Sequence, residues 1–550
     1  MKNPNDEVKP PSKMKYVIIV IVVVIMVGAG VTLALYHPAK SKKVTFYTWW
    51  ATEGKVAVDK EYAAFHAAYP NLTAVSELKA GAGGSAAKGE ILTLIRDGDP
   101  PEAFQAHYGP GMLSYVEAAS QHSKEFVNMT PILDSMTNVI PEVVEAGEYN
   151  GTSFSLPVDM HRGAELYINP NLLYNNSISQ LPTNITELLS DSKTLNSALS
   201  STGGGGWTIP GGDGGWDQMQ VWEDFFLANS INTTGNATLY DELMYGTLNM
   251  HSSTAMKVIN ETNNDYLTAY GERMHGISTL TWTAVIHDIT GSKSGFQANG
   301  NWYVNYAYDY LNVTAYPMNS STINTAYDHS HHINLIAMPF PGTKGYFALI
   351  DDSVAIPTGP NQATGLTFAK YFSSFAGDKV FTKWKASSYY DNITSPSFYN
   401  TPSQWGDYEC AVNDSGNSSR WVYQLSDGGM FASQTSSFET DLESLTSASS
   451  VSTWNSHLGS VISSEESSWL AGHNLSLGFL GTVSHPFGGY LPPWVHDPVN
   501  PGATAAQNTI STVNANNQST AASSTSSPSI AIIVVGLTSI FLANAVIKKR

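Results

Sequence analysis

Two uninterrupted apolar runs stand near the ends of the chain, at 16–36 and 530–547, and between them apolar and polar positions alternate on shorter periods. A run of about 17–25 apolar residues crosses a bilayer core as a helix, so both runs are expected to be transmembrane helices. Lysines precede the first, and Lys548-Lys549-Arg550 ends the second. The positive-inside bias then keeps 1–15 and the last residues cytoplasmic and leaves 37–529 outside. The first run equally fits a leader removed on export, although no A-x-A pattern follows it. In the middle of the chain the periods are those of strands and helices in turn. Residues 44–47 read as a strand, 55–69 as a helix, 72–77 as a strand, the stretch to Arg96 as a helix and 103–106 as a short buried strand. Residues 346–357 read as two strands with Asp351 and Asp352 between them, followed by one long helix over 362–377. From there to about 500 the chain reads as mainly helical. Alternating strands and helices predict an α/β fold, whose ligands bind at the carboxyl ends of strands.

One such strand end reads Phe46-Tyr47-Thr48-Trp49-Trp50-Ala51-Thr52-Glu53-Gly54. Indole faces stack on the C–H face of a sugar ring, and Glu53 accepts hydrogen bonds from hydroxyls. Two core tryptophans would have the same pattern, so position alone leaves both readings open. Gln105 and His107 fall on one face of strand 103–107, emerging at its carboxyl end, where both suit a neutral polyol. Asp159, His161 and Arg162 follow the extended Leu156-Pro157-Val158. No G-x-S-x-G nucleophile motif accompanies them, so binding or hinge duty is expected rather than catalysis. After the glycines at 211–215, Trp216 is expected at a cleft and Trp222 in the core. Gly300-Asn301-Trp302 is a strand running into a turn. Asp352 at a strand end suits charge-assisted bonds to neighbouring hydroxyls, and Lys385 and Tyr389 come soon after. Gly81-Ala82-Gly83-Gly84 lacks the Gly-Lys-Ser/Thr ending of a phosphate loop and reads as a plain turn. Asp328-His329-Ser330-His331-His332 has no clear fourth ligand, so no metal or cofactor is expected.

Composition narrows the class. Of 550 residues 42% are hydrophobic and only 13% are charged, against about 25% charged in ordinary soluble domains. The net charge is -19, and the basic residues gather beside the terminal apolar runs, which excludes a nucleic-acid-binding face. The single cysteine excludes an internal disulfide. Asn-x-Ser/Thr acceptors are dense, among them Asn71, Asn128, Asn184, Asn260, Asn312, Asn392 and Asn417. Residues 501–529 form a Ser/Thr-rich stalk. Together these predict a glycosylated part outside the cell, held at the membrane.

Taken in order, Tyr-Thr-Trp-Trp-Ala-x-Glu-Gly, Gly-Asp-Pro-Pro-Glu-Ala-Phe-Gln-Ala-His, Leu-Pro-Val-Asp-Met-His-Arg, Trp216 to Trp222, Gly300-Asn301-Trp302 and Asp351-Asp352-Ser353 resemble the extracellular solute-binding proteins of ABC sugar importers. The family-1 glucose/galactose/mannose-binding proteins of thermophiles and archaea are the nearest likeness. The resemblance implies a class II, two-lobed periplasmic-binding-protein-like fold. Lobe 1 would be 43–157 with 334–382, and lobe 2 would be 158–333 with 383–500. It also implies a cleft lined by Trp49, Trp50, Glu53, Gln105, His107 and Asp352 from one lobe. His161, Trp216, Asn301, Trp302 and Lys385 would come from the hinge and the other. Relatives often carry Gly-Asp-Trp at 300–302 and a histidine near Asp427, where this chain differs. The implied function is binding without bond-breaking. A glucose-like monosaccharide or small oligosaccharide would be delivered to an ABC permease by a receptor anchored in the cell membrane. The competing classes are a secreted glycoside hydrolase, which also uses tryptophans and paired carboxylates, and a surface-layer or adhesion glycoprotein.

Overall fold

A computed structural model describes residues 42–79, 84–122, 125–149, 152–318 and 335–479. The two terminal apolar runs, the stalk, residues 81–83 and the histidine cluster at 328–332 lie outside the described residues. Among the described ones no helix is long and apolar enough to cross a membrane.

The first lobe starts with β1 (Lys42–Thr48), β2 (Leu72–Leu78) and β3 (Ala103–His107), with β1 parallel to both neighbours. The hairpin β4 (Glu148–Tyr149) and β5 (Thr152–Ser153) leads to β6 (Ser155–Pro157). The chain then crosses through β7 (His161–Arg162) into the second lobe. There β8 (Glu165–Ile168), β9 (Gly205–Trp207), β10 (Ser294–Asn299), β11 (Ala315–Pro317) and β12 (Leu335–Pro339) form a sheet in the order β11-β12-β8-β10-β9. The return passes along β13 (Phe347–Ile350) straight into β14 (Asp352–Ala355), which completes the first sheet as β2-β1-β3-β14-β6. β15 (Trp421–Tyr423) joins β13 and β7 in a three-stranded sheet between the lobes. In each large sheet one strand runs against its neighbours, and it is the strand fed by a crossing: β8 after β7, β14 after β13. Only Asp351 separates β13 from β14, so Asp352 is fixed where the sheets meet.

Two boundaries differ from the sequence reading. Segment 334–382 does not lie wholly with 43–157, because β12 pairs with β8 and β11 in the second sheet and the crossing follows Pro339. The expected helix over 362–377 is two, Gln362–Phe372 and Phe375–Phe381. The Ser374 hydroxyl accepts from the Gly377 amide at 3.3 Å and caps the second, since a serine side chain competes with the helix for its own backbone.

The largest apolar cluster runs from Phe104 and Tyr108 of the first lobe through Phe347 and Trp421 to Leu166 and Trp207 of the second, and each lobe adds a smaller cluster of its own. Val44, Phe46 and Trp50 pack against Phe368, Phe372 and Phe381 in the first. Tyr167, Tyr303, Val304 and Leu335 pack together in the second. Burying each such side chain is worth roughly 1.5–3 kcal/mol. Trp222 is fully buried between Phe226, Phe438 and Trp454, as its place inside the helix Trp216–Thr234 predicts.

Candidate functional site: an indole-walled cleft between the lobes

The carboxyl ends of β1 and β3, the start of β14, the hinge strand β7 and three helix starts converge on one cavity of about 220 Å³. Trp49, Trp50, His107 and Asp352 line it on one side. His161, Trp216, Trp302 and Lys385 line it on the other. Eight of the residues singled out from sequence are thus brought together. Trp49 and Trp50 divide their labour. Trp50 is buried, and its indole N–H donates to Asp352 Oδ2 at 3.3 Å. Trp49 stays half-buried with Gly84 under its ring, where φ is +85° and a Cβ would stand 2.5 Å from the indole. Only a glycine fits that position. Across the cleft Trp216 and Trp302 stack at 5.7 Å with 28° between planes.

Two expected contacts are not made at the cavity surface. Gln105 shares the face of β3 with His107 but lies one step back. Its amide donates to Asp352 Oδ1 at 2.7 Å and its carbonyl accepts from Thr48 Oγ1 at 2.5 Å. Asn301 is likewise spent on the wall, bonded to His161 Nδ1 at 2.6 Å and Asp407 at 3.2 Å. Both position residues that do face the cleft. Glu53 is the first residue of the helix Glu53–Ala68, and its side chain lies outside the described part of the structure.

Other lining residues were not singled out as candidates. Thr281, Trp282 and Thr283 form the start of a helix, and Asp213 accepts from the Trp282 backbone amide at 2.8 Å. An indole between two threonines ahead of a helix was the available signal. Asp427, noticed only as a departure from relatives, accepts from the Trp216 indole at 3.1 Å and from Gln220 at 3.0 Å. Its loop turns sharply, with Gly428 at φ 117°.

The polar floor is charge-balanced. Lys385 Nζ lies 2.6 Å from His161 Nε2 and 3.6 Å from Asp352 Oδ2, with Asp159 Oδ2 at 4.0 Å. Asp159, His161 and Asp352 make a donor set that would suit a metal ion, but the lysine ammonium already supplies a cation in their midst. Burial pushes the Asp352 carboxyl up. Its hydrogen bond to His161 and the charge of Lys385 more than reverse this and hold it below the usual carboxylate range. Burial and Lys385 lower the basicity of His161, and Asp159 and Asp352 raise it further than they lower it. His107 moves the other way. Burial, then Lys88, depresses it well below the ordinary imidazole value, so it is neutral. Its Nε2 sits 3.8 Å from Asp352 and 3.7 Å from Asp427. Those gaps are too long for hydrogen bonds. Asp159 approaches His161 at 3.3 Å, whereas Arg162 turns to Asp407 at 3.7 Å.

No family model matches the chain. The glucose-binding protein GlcS of Saccharolobus solfataricus is 43% identical over 467 residues, 84% of this chain and 80% of that protein. An uncharacterized ABC transporter extracellular-binding protein of Pyrococcus horikoshii is 23% identical over 62% of this chain and 69% of that protein. Among solved structures, the bacterial solute receptor AcbH, described as preferring β-D-galactopyranose, superimposes with a TM-score of 0.57. At 12% identity it covers 78% of this chain and 100% of its own. That likeness establishes the α/β, two-lobed, periplasmic-binding-protein-like fold.

Proposed function

The chain belongs to the extracellular solute-binding proteins of ABC sugar importers, and we propose that its interlobe cavity holds one glucose-like ring. The protein is a sugar-binding receptor that hands its ligand to an ABC transporter, and not an enzyme. The observation carrying the choice of ligand is the cavity itself. Indoles on both sides offer faces to the C–H surfaces of a ring, while Asp352, His107, His161 and Lys385 meet its rim. A volume of about 220 Å³ lies below the range of about 300–1,000 Å³ found for drug-sized ligands, which suits a single ring. The identity to a glucose-binding protein favours glucose among such rings. Closure excludes water, so each hydroxyl needs a protein partner, and an epimer would strand one buried polar group. The terminal apolar runs and the stalk would tether this receptor outside the membrane. Tryptophan fluorescence of the full chain, titrated with glucose, galactose, mannose, xylose and arabinose, tests the reading. Saturable quenching or enhancement at one site with glucose among the tightest ligands is expected. Absence of any saturable change across the panel would reject it.

A further inference from the structure

Trp216, Gln220 and Glu223 follow one another at four- and three-residue spacing in the helix Trp216–Thr234, so they lie along one face of it. That face meets the turn Leu425–Gly429, which follows β15. Trp216 and Gln220 donate to the Asp427 carboxyl, which lines the cleft. Glu223 is fully buried and stands behind the cleft lining. Its carboxyl meets the residues just before Asp427. The Gln424 side-chain amide donates to Oε1 at 2.8 Å, and the backbone amides of Leu425 and Ser426 donate to Oε2 at 2.8 and 3.3 Å. The Ser426 hydroxyl lies 2.5 Å from Oε1 and 3.1 Å from Asp427 Oδ2, and the Tyr240 hydroxyl lies 3.2 Å from Oε2.

The turn depends on this carboxyl. Asp427 has φ -126° and ψ 51°, and Gly428 has φ 117°, so the segment is not a regular helix that would hold itself. Leu425 and Ser426 are fully buried, and a buried amide left without a partner costs about 1–3 kcal/mol. On its other side the turn is packed on the end of β3, since a Cβ at Gly428 would stand 2.8 Å from His107 Cβ. The Ser426 hydroxyl carries one hydrogen between two carboxyls. When Glu223 holds its proton, as burial favours, it donates to Ser426 Oγ, and the hydroxyl turns its own hydrogen to Asp427 Oδ2. Gln220 and Ser426 then occupy Oδ2, while Oδ1 shares only the Trp216 indole N–H among the described residues. Oδ1 therefore keeps the capacity to accept from a ligand hydroxyl.

We infer that Glu223 is a positioning residue for sugar binding: it touches no ligand, and through the turn and Ser426 it sets where Asp427 Oδ1 is presented to the cleft. This rests on the cleft being a sugar site, as proposed above. Calorimetric titration of the full chain with glucose, beside a denaturant melt of each variant, tests it. Asp427→Asn should weaken glucose about tenfold or more. Glu223→Met strands the two loop amides and should weaken it by about tenfold as well. Glu223→Gln imitates the protonated acid, its amide donating to Ser426 Oγ, and the Gln424 side-chain oxygen, unpartnered among the described residues, can turn to meet it. That variant should stay within about threefold of the parent. Because Glu223 acts through Asp427, adding Glu223→Met to Asp427→Asn should cost less than about twofold more, whereas a variant that merely loosened the helix would add its whole loss. Should Glu223→Met not fold, Ser426→Ala carries the same comparison, with a loss of about threefold alone and none on top of Asp427→Asn. Additive losses, a Glu223→Gln chain that folds but binds about tenfold more weakly, or an Asp427→Asn chain that binds like the parent would overturn the assignment and leave the cleft intact. Failure of the unmodified chain to bind any sugar of the fluorescence panel would overturn the cleft reading, and this assignment with it.

Discussion

Two neighbouring tryptophans with opposite surroundings set the first expectations. Trp49→Ala removes a stacking face from a half-buried site, so affinity should fall about 10- to 100-fold with little change in melting temperature. Trp50→Ala empties a position packed against Phe46, Phe372 and Phe381, so it should cost about 3–5 kcal/mol of stability as well as affinity. Calorimetric titration beside a denaturant melt separates the two. Asp352→Asn strikes a group that faces Lys385, His161, Trp50 and Gln105 at once. It removes the nearer of the two carboxylates that face a buried ammonium, for which up to about 3–5 kcal/mol is expected, and sugar binding should be lost. An Asp352→Asn chain as stable and as competent as the parent would contradict a floor held together by charge balance. The chemistry of these residues was legible from their types: aromatic, carboxylate and imidazole at strand ends. Whether each side chain faced the cavity was not. Gln105 and His107 share a strand face, and only the fold shows that one is held by Thr48 and Asp352 while its neighbour reaches the cleft.

Among the elements, the crossings govern how the lobes move together. The helix Trp302–Leu311 of the second lobe reaches back to the first, where the Tyr310 hydroxyl donates to the Thr52 carbonyl at 2.9 Å. Thr52 lines the cleft beside Trp50. This bond exists only when the lobes are this close, so Tyr310→Phe should leave the melting temperature unchanged and speed sugar release a few-fold, with the association rate nearly constant. Stopped-flow fluorescence measures both, and an unchanged release rate would show that the bond does not hold the closed form. Element existence was readable from period and turn residues, and β1, β2, β3, β13 and β14 lie within a residue or two of the sequence reading. Sheet membership was not readable for β12. Its residues are buried throughout, and a strand apolar on both faces carries no mark of which sheet it joins. The break at Ser373-Ser374 was hidden because the apolar period continues across it.

At the level of the whole molecule, buried carboxyls dominate the response to pH. Burial pushes Glu117, Glu145 and Glu242 up to about 7. Glu223 and Glu439 rise to about 8 from the same leading cause. Each ordinarily titrates near 4.5. Between that value and the raised one the folded chain holds more protons than the unfolded chain, so stability falls as pH rises. The net charge of -19 adds self-repulsion in the same direction as the remaining carboxyls ionise. Asp352 acts oppositely, but only at pH values below the ordinary carboxylate range, and His107 opposes the five glutamates as a single group up to its ordinary value of 6.5. The melting temperature should therefore be higher at pH 5 than at pH 8 and decline through the interval. A flat or rising profile would contradict buried glutamates that keep their protons near neutral pH. The sequence could supply the count of carboxylates but not which of them the two lobes bury.

The most direct test of the indole-walled cleft is a crystal structure of the chain grown with glucose. One ring should lie between Trp49 and the Trp216–Trp302 pair, unhydrolysed, with hydroxyls in reach of Asp352, His107 and Lys385. An empty cleft with sugar bound elsewhere, or no sugar at all under conditions where titration reports binding, would contradict it.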